Sequence, residues 1–161
     1  MEKRISDTKL YLLGFGFFSI LLIETIYDNI VPLMLREHYI QDNELFIGFI
    51  MTIDNYIAIL IIPIIGLISD RIMTRYGKRM PFIMFGMPLA SVFLILLPNH
   101  LSLLSIILFI IGMNVSMNTF RSPVIALMPD ITQSSKRGRA NSIINFVGGF
   151  GAVTATLLGM K

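Results

Sequence analysis

The sequence predicts an all-α membrane protein, on three observations. Hydrophobic residues make up 55% of the 161 positions and charged ones only 14%, and mean hydropathy is +0.76, far too apolar for an ordinary soluble domain. The charges are bunched between long apolar runs rather than spread along the chain. Those runs are each close to the roughly 20 residues that cross about 30 Å of hydrocarbon as a helix. Helices are the expected form, because backbone groups in lipid must be satisfied within the segment and no alternating strand pattern is present.

Five spans are predicted, at residues 10–35, 45–68, 81–97, 101–128 and 141–160, with basic loops at 69–80 and 129–140. Lys3, Arg4 and Lys9 precede the first span. Arg71, Arg75, Lys78 and Arg79 separate the second from the third, and Lys136, Arg137 and Arg139 separate the fourth from the fifth. The alternate loops hold only Arg36, among Glu37, Asp42 and Glu44, and the turn Pro98–Asn99–His100. By the positive-inside rule the N-terminus and the basic loops are cytoplasmic. The net charge of +3 therefore speaks to topology and not to nucleic acid. An odd number of spans ending at Met160–Lys161 without a polar tail reads as truncation. The first apolar run is too long for a signal sequence and lacks a small-residue cleavage site.

The first span carries Glu24 near its middle and Asp28 one turn later, with Tyr27 between them. A charged carboxylate at a helix centre costs about 2.5–3.5 kcal/mol, and two adjacent ones repel, so one holds a proton or faces a cation or water. Proton or sodium coupling is one reading; a neutral carboxyl that packs helices together is the other. Asp54 and Asn55 lie near the middle of the second span and add a third acidic site. The third span has no charge and could face lipid all round. In the fourth, Asn114, Asn118 and Arg121 fall at i, i+4 and i+7 on one face. Arg121 can pair with an acid on another span, bind a substrate group in bidentate fashion, or snorkel to the nearer interface. The asparagines can contact substrate or act as interhelical hydrogen bonds. The fifth span presents Gly148, Ala152, Ala155 and Gly159 as a small-residue packing face. Polar residues concentrate on spans one and four, as in transporters built from repeated three-helix units.

The loop from Gly66 to Ile83 reads GLISDRIMTRYGKRMPFI. It resembles the cytoplasmic signature of the major facilitator superfamily, with four extra residues between Arg71 and Gly77. That longer form is similar to the loop of the sucrose-type and glycoside–pentoside–hexuronide sugar:cation symporters, and Thr74, Arg75, Tyr76 and Pro81 fall into their pattern. A second stretch agrees: Arg121-Ser-Pro-Val-Ile-Ala-Leu-Met-Pro-Asp130-Ile-Thr is similar to the end of the fourth helix in sucrose-type carriers. The resemblance implies the N-terminal five helices of a twelve-helix transporter in the cell membrane, moving a sugar or glycoside with a proton or sodium by alternating access. It matches Arg121 to the family's substrate-region arginine; joined to the reading of the intramembrane residues, this gives Asn55, Asn114, Asn118 and Arg121 as expected substrate contacts and Glu24, Asp28 or Asp54 as the expected site of cation coupling. Gly66, Asp70, Arg71, Arg75, Gly77, Lys78, Arg79 and Asp130 would form a cytoplasmic gate. In that gate Gly66 clears space for a crossing helix, Asp70 suits a helix N-terminus, and the arginines pair with Asp130.

The chain has no cysteine, no metal-ligand cluster, no phosphate-cradling loop and no Ser/His/Asp set, so no enzyme, metal site or cofactor is expected. His38 and His100 fall in the acidic-side loops and read as solvated. A non-transporting membrane scaffold or sensor, or an inactive fragment, is the rival to transport.

Overall fold

In the computed structural model, which describes residues 7–40 and 43–159, five helices carry nearly all of the chain. They are α1 (Asp7–His38), α2 (Glu44–Arg71), α3 (Met80–Leu96), α4 (Leu103–Ile131) and α5 (Arg137–Gly159). Short 3₁₀ turns precede α4 and α5. Lys3, Arg4, Asp42, Met160 and Lys161, and the side chain of Lys9, lie outside the described part. All five helices are long and apolar enough to cross a membrane. On the basic side their ends run a few residues past the predicted spans, so that Asp70, Arg71 and Asp130 are helical residues.

Local chemistry sets the boundaries. The Asn43 side chain accepts from Phe46 N–H at 3.1 Å and opens α2. Pro81 lies in the first turn of α3, where its missing N–H costs nothing. Ser102 and Ser105 close a reciprocal capping box at the start of α4. Between α2 and α3, Gly77 adopts a φ of +105°, a region L side chains rarely occupy. That turn is held by the Thr74 hydroxyl donating to Gly77 O at 2.6 Å and by Gly77 N–H donating to Thr74 O at 3.0 Å.

α1 packs along α5, while α4 packs along α2 and also receives α3. The third helix is therefore not lipid-facing all round, as its lack of charge allowed. Its Gly86 and Ala90 are buried, and a methyl at Gly86 would come within 2.9 Å of Phe120 Cβ on α4. The small-residue face of α5 is also displaced from the one expected. Its buried positions are Ala140, Ile144, Gly148, Gly151 and Ala155, whereas Gly159 has nothing within 4 Å. The closest approach is at Gly151, where a Cβ would sit 2.3 Å from Phe18 O. Because that neighbour is backbone, it has no rotamer by which to move aside.

Gly151→Ala is thus expected to separate α1 from α5 and to destabilise the protein by about 1–3 kcal/mol, read as a lowered thermal midpoint in detergent. Gly159→Ala should leave the midpoint unchanged. Equal midpoints for both variants would rule out a backbone-to-backbone approach at Gly151.

Candidate functional site at the centre of the bundle

The polar faces of α1, α2 and α4 meet halfway along the bundle. Arg121 on α4 donates from Nη1 to Glu24 Oε1 on α1 at 2.6 Å. Both side chains keep about a third of their surface exposed, 32% for the arginine and 29% for the glutamate. Pairing answers the cost of each charge, and the partial exposure leaves the pair open to a competing ligand. Of the choices open to Arg121, the structure takes pairing across helices over snorkelling.

One turn further along α1, Tyr27 is 1% exposed, and its hydroxyl has no hydrogen-bond partner. Asn114, Asp54 and Asp28 are the polar groups that act on it. The Asn114 amide comes near it without reaching hydrogen-bond geometry. Asp54 likewise has a buried Oδ1 with no partner and feels both Glu24 and Arg121. Asn114 and Asn118 are 1% and 2% exposed. Their Nδ2 groups donate to the carbonyls one turn back, Ile110 O at 3.0 Å and Asn114 O at 2.9 Å. They do not bridge helices through those donors. Asn118 therefore presents an unpaired Oδ1 to the interior. Asp28 is exposed beside Tyr27, and Asn55 is exposed on another face of α2, where it lines a shallow groove with Ala58, Ile59, Ile62 and Pro63. The structure thus gathers Glu24, Asp54, Asn114, Asn118 and Arg121, with Asp28 at their edge, and leaves Asn55 apart.

A second polar cluster closes the basic end. Arg79 is 8% exposed; its Nε donates to Asp130 Oδ2 at 2.6 Å and its Nη2 to Asp70 Oδ1 at 2.9 Å. One guanidinium fork thereby ties the ends of α2 and α4 to the start of α3. Arg79 alone holds Asp130 among the three arginines expected to do so. Arg75 instead stacks on the Tyr76 ring, 4.7 Å from its centroid, and donates to the Tyr76 hydroxyl. Arg71 and Lys78 are exposed. Asp70 answers an arginine, not a bare helix terminus. A methyl at Gly66 would meet Ser122 Oγ at 3.7 Å, an ordinary contact, so Gly66 is not sterically required here. Between the two clusters lies a cavity of about 320 Å³ whose walls, including Leu12, Ile83 and Leu127, are entirely apolar.

At the opposite end Arg36 and Glu44, both largely exposed, form an ion pair. His38 and His100 are not simply solvated: their rings meet edge-on at 5.1 Å, and Tyr39 lies 5.2 Å from His100. Each Nδ1 faces a carbonyl of its own segment, Met34 O at 3.2 Å and Leu97 O at 2.9 Å. Sequence reasoning passed over this pair and the unpartnered Tyr27 hydroxyl. The only signal for Tyr27 was its place between two intramembrane acids.

Comparison with known proteins bears on the fold as a whole. The family model of the Major Facilitator Superfamily matches residues 13–160. A sucrose transport protein from Arabidopsis thaliana is 26% identical across 70% of this chain, and the chain spans 23% of that relative's length. No solved structure matches.

Removing the buried fork should hurt more than removing the exposed pair. Arg79→Ala leaves two half-exposed carboxylates facing each other and is expected to cost about 1–3 kcal/mol. Arg79→Lys, with one ammonium for two carboxylates, should recover only part. Arg36→Ala should stay within about 0.5 kcal/mol. Chemical unfolding in detergent ranks the three, and a cost for Arg36→Ala equal to that of Arg79→Ala would contradict this ordering.

Proposed function

The chain belongs to the major facilitator superfamily, and on that premise we propose that it forms part of a secondary active transporter coupling a sugar or glycoside to protons or sodium by alternating access. Membership supports an integral, multi-pass membrane protein that moves a small molecule rather than an enzyme. The sugar class is supported by the likeness to a sucrose transport protein and by the signature loop at residues 66–83. Helices outside this chain complete the pathway, the basic face is cytoplasmic, and the membrane is the plasma membrane.

The observation that carries this reading is the Glu24–Arg121 pair at 2.6 Å, half-open and set among unpaired polar atoms. An ion pair in a low-dielectric setting is a two-state element. A proton or cation on Glu24 releases Arg121 to a substrate oxygen, and departure of the substrate restores the pair. Asp54 and Asp28 both feel the charge of Glu24, which supports a shared part for them in cation coupling. Arg121, Asn114 and Asn118 contact the substrate, with Asn55 at its margin. At the basic end Arg79, Asp70 and Asp130 form the gate, whose loop is shaped by Gly66, Arg71, Arg75, Gly77 and Lys78.

The test is uptake into proteoliposomes by the protein expressed from its complete gene. An imposed pH or sodium gradient should drive accumulation of at least one sugar in a broad glycoside panel. Asp54→Asn should abolish accumulation while leaving exchange of the same sugar intact. Glu24→Gln and Arg121→Ala should each lower kcat/KM by at least about tenfold, or about 1.4 kcal/mol. Their double variant should lose less than the sum, as members of one pair do. Absence of gradient-driven uptake across the panel would instead favour a non-transporting scaffold or sensor.

A further inference from the structure

Among the described residues, four buried side-chain polar atoms have no hydrogen-bond partner: Tyr27 Oη, Asp54 Oδ1, Asn118 Oδ1 and Thr132 Oγ1. Buried polar groups are nearly always paired, so each exception calls for a reason. Three of these four come from three different helices and fall within the central cluster; only Thr132, at the basic end of α4, is elsewhere. Tyr27 feels the charge of Asp54. Asn118 lies between Asn114, which acts on Tyr27, and Arg121, which acts on Asp54. Atoms that the fold leaves unsatisfied at one place define what a ligand placed there must supply.

Their chemistry narrows the ligand. A carboxylate oxygen accepts, and so does the Asn118 Oδ1, whose amide nitrogen already donates to Asn114 O. The phenol both donates and accepts. The cation nearest this set, Arg121, is held by Glu24. The atoms that the fold leaves without any partner here are therefore two acceptors and one hydroxyl. A carboxylate or phosphate would leave both acceptors unmet and add negative charge beside Asp54. Adjacent hydroxyl groups, each able to donate and accept, answer all three atoms.

Position matters as much as valence. Tyr27 belongs to the hydrophobic core, with Ile23 and Val31 one turn to either side, both buried. Its ring is held by packing, so the hydroxyl is aimed before any ligand arrives and loses little freedom on binding. We propose that Tyr27 is a specificity-determining residue whose hydroxyl, with Asp54 Oδ1 and Asn118 Oδ1, pairs with neighbouring hydroxyls of the transported solute. The inference rests on the transport reading above, which assigns Tyr27 no role.

The experiment uses the protein expressed from its complete gene, in proteoliposomes, with radiolabelled sucrose, maltose, melibiose and methyl β-glucoside and their monodeoxy analogues as probes. Tyr27→Phe keeps the ring and removes one oxygen. Its KM for a transported probe should rise about tenfold with kcat within about twofold. In the wild type, one deoxy position should cost a similar factor, and in Tyr27→Phe that position should cost less than about twofold, because the two changes delete the same contact. If the wild type transports a probe and Tyr27→Phe matches its KM, the inference is overturned while the transport reading stands. Full deoxy penalties in both proteins overturn it in the same way. Should Tyr27→Phe fail to fold, the wild-type deoxy series decides, and no position costing more than about threefold overturns the inference. A wild type that moves none of the probes overturns the glycoside reading and this inference together.

Discussion

Charge in a low-dielectric interior must be answered by another charge, and here that requirement sets the register of the bundle. The pairing of Arg121 with Glu24 at 2.6 Å locks α4 to α1 at one height. Once that height is set, Asn114 falls beside Tyr27. Ser122, next to Arg121, donates to Ile62 O on α2 at 3.3 Å and holds α2 at the same level. Dispersion forces between apolar helices in lipid are nearly indifferent to sliding by a turn, because lipid tails pack as well as leucines do. A charge pair is not indifferent. Sliding α4 by one turn, about 5.4 Å, would leave both members unpaired in hydrocarbon.

Close backbone contacts reinforce the same register by exclusion. Gly151 fits against Phe18 O only where no Cβ intervenes, and Gly86 does the same against Phe120. Each contact couples a helix of the outer layer, α5 or α3, to one of the two that bear the central pair. α1 and α4 therefore act as paired spines, α5 docked on the first and α2 and α3 on the second. The relation of α1 to α5 resembles that of α4 to α2 when the chain is divided into consecutive units of three helices, the arrangement of repeat-built transporters.

Much of this was legible in the sequence, because it follows from one-dimensional quantities. Span number came from run length, and the polar stripe of α4 from the spacing of Asn114, Asn118 and Arg121. What was missed depends on which face meets which neighbour. At helical period, Gly151 and Ala152 are both plausible continuations of a stripe through Gly148, and only the position of Phe18 O decides between them. The charge-free α3 gave no charged residue from which to infer a buried side, although Gly86 and Ala90, one turn apart, carried the signal. Four basic residues lie at or between the facing ends of α2 and α3, Arg71 in the last turn of α2 and Arg75, Lys78 and Arg79 after it, and their sign alone does not say which becomes the hub. Arg79 does so because it sits where α3 begins, within reach of Asp70 and Asp130, while Arg75 is turned onto Tyr76 by the Gly77 loop. The unpaired state of Tyr27 is equally invisible in one dimension, since it is defined by what α2 and α4 do not supply.

The two polar clusters share α4, and this places a physical condition on any communication between them. Arg121 and Asp130 are nine residues apart, about 13.5 Å along a straight helix. Pro123 and Pro129 interrupt that interval, and each removes a backbone hydrogen bond and crowds the preceding turn. A segment so weakened bends more readily than it twists as a unit, so loss of the Glu24–Arg121 pair would reach the basic end as a change in the angle of the last turns of α4. Asp130 is the charge that such a change displaces, and Arg79 is anchored independently by Asp70. The fork can therefore lose one carboxylate and keep the other, with its guanidinium never left without a partner. If this cluster is the proposed gate, an intermediate with one bond intact would lower the barrier between closed and open arrangements relative to one in which a buried arginine stands alone. A single arginine shared by two carboxylates on different helices is a better hinge pin than two separate pairs would be.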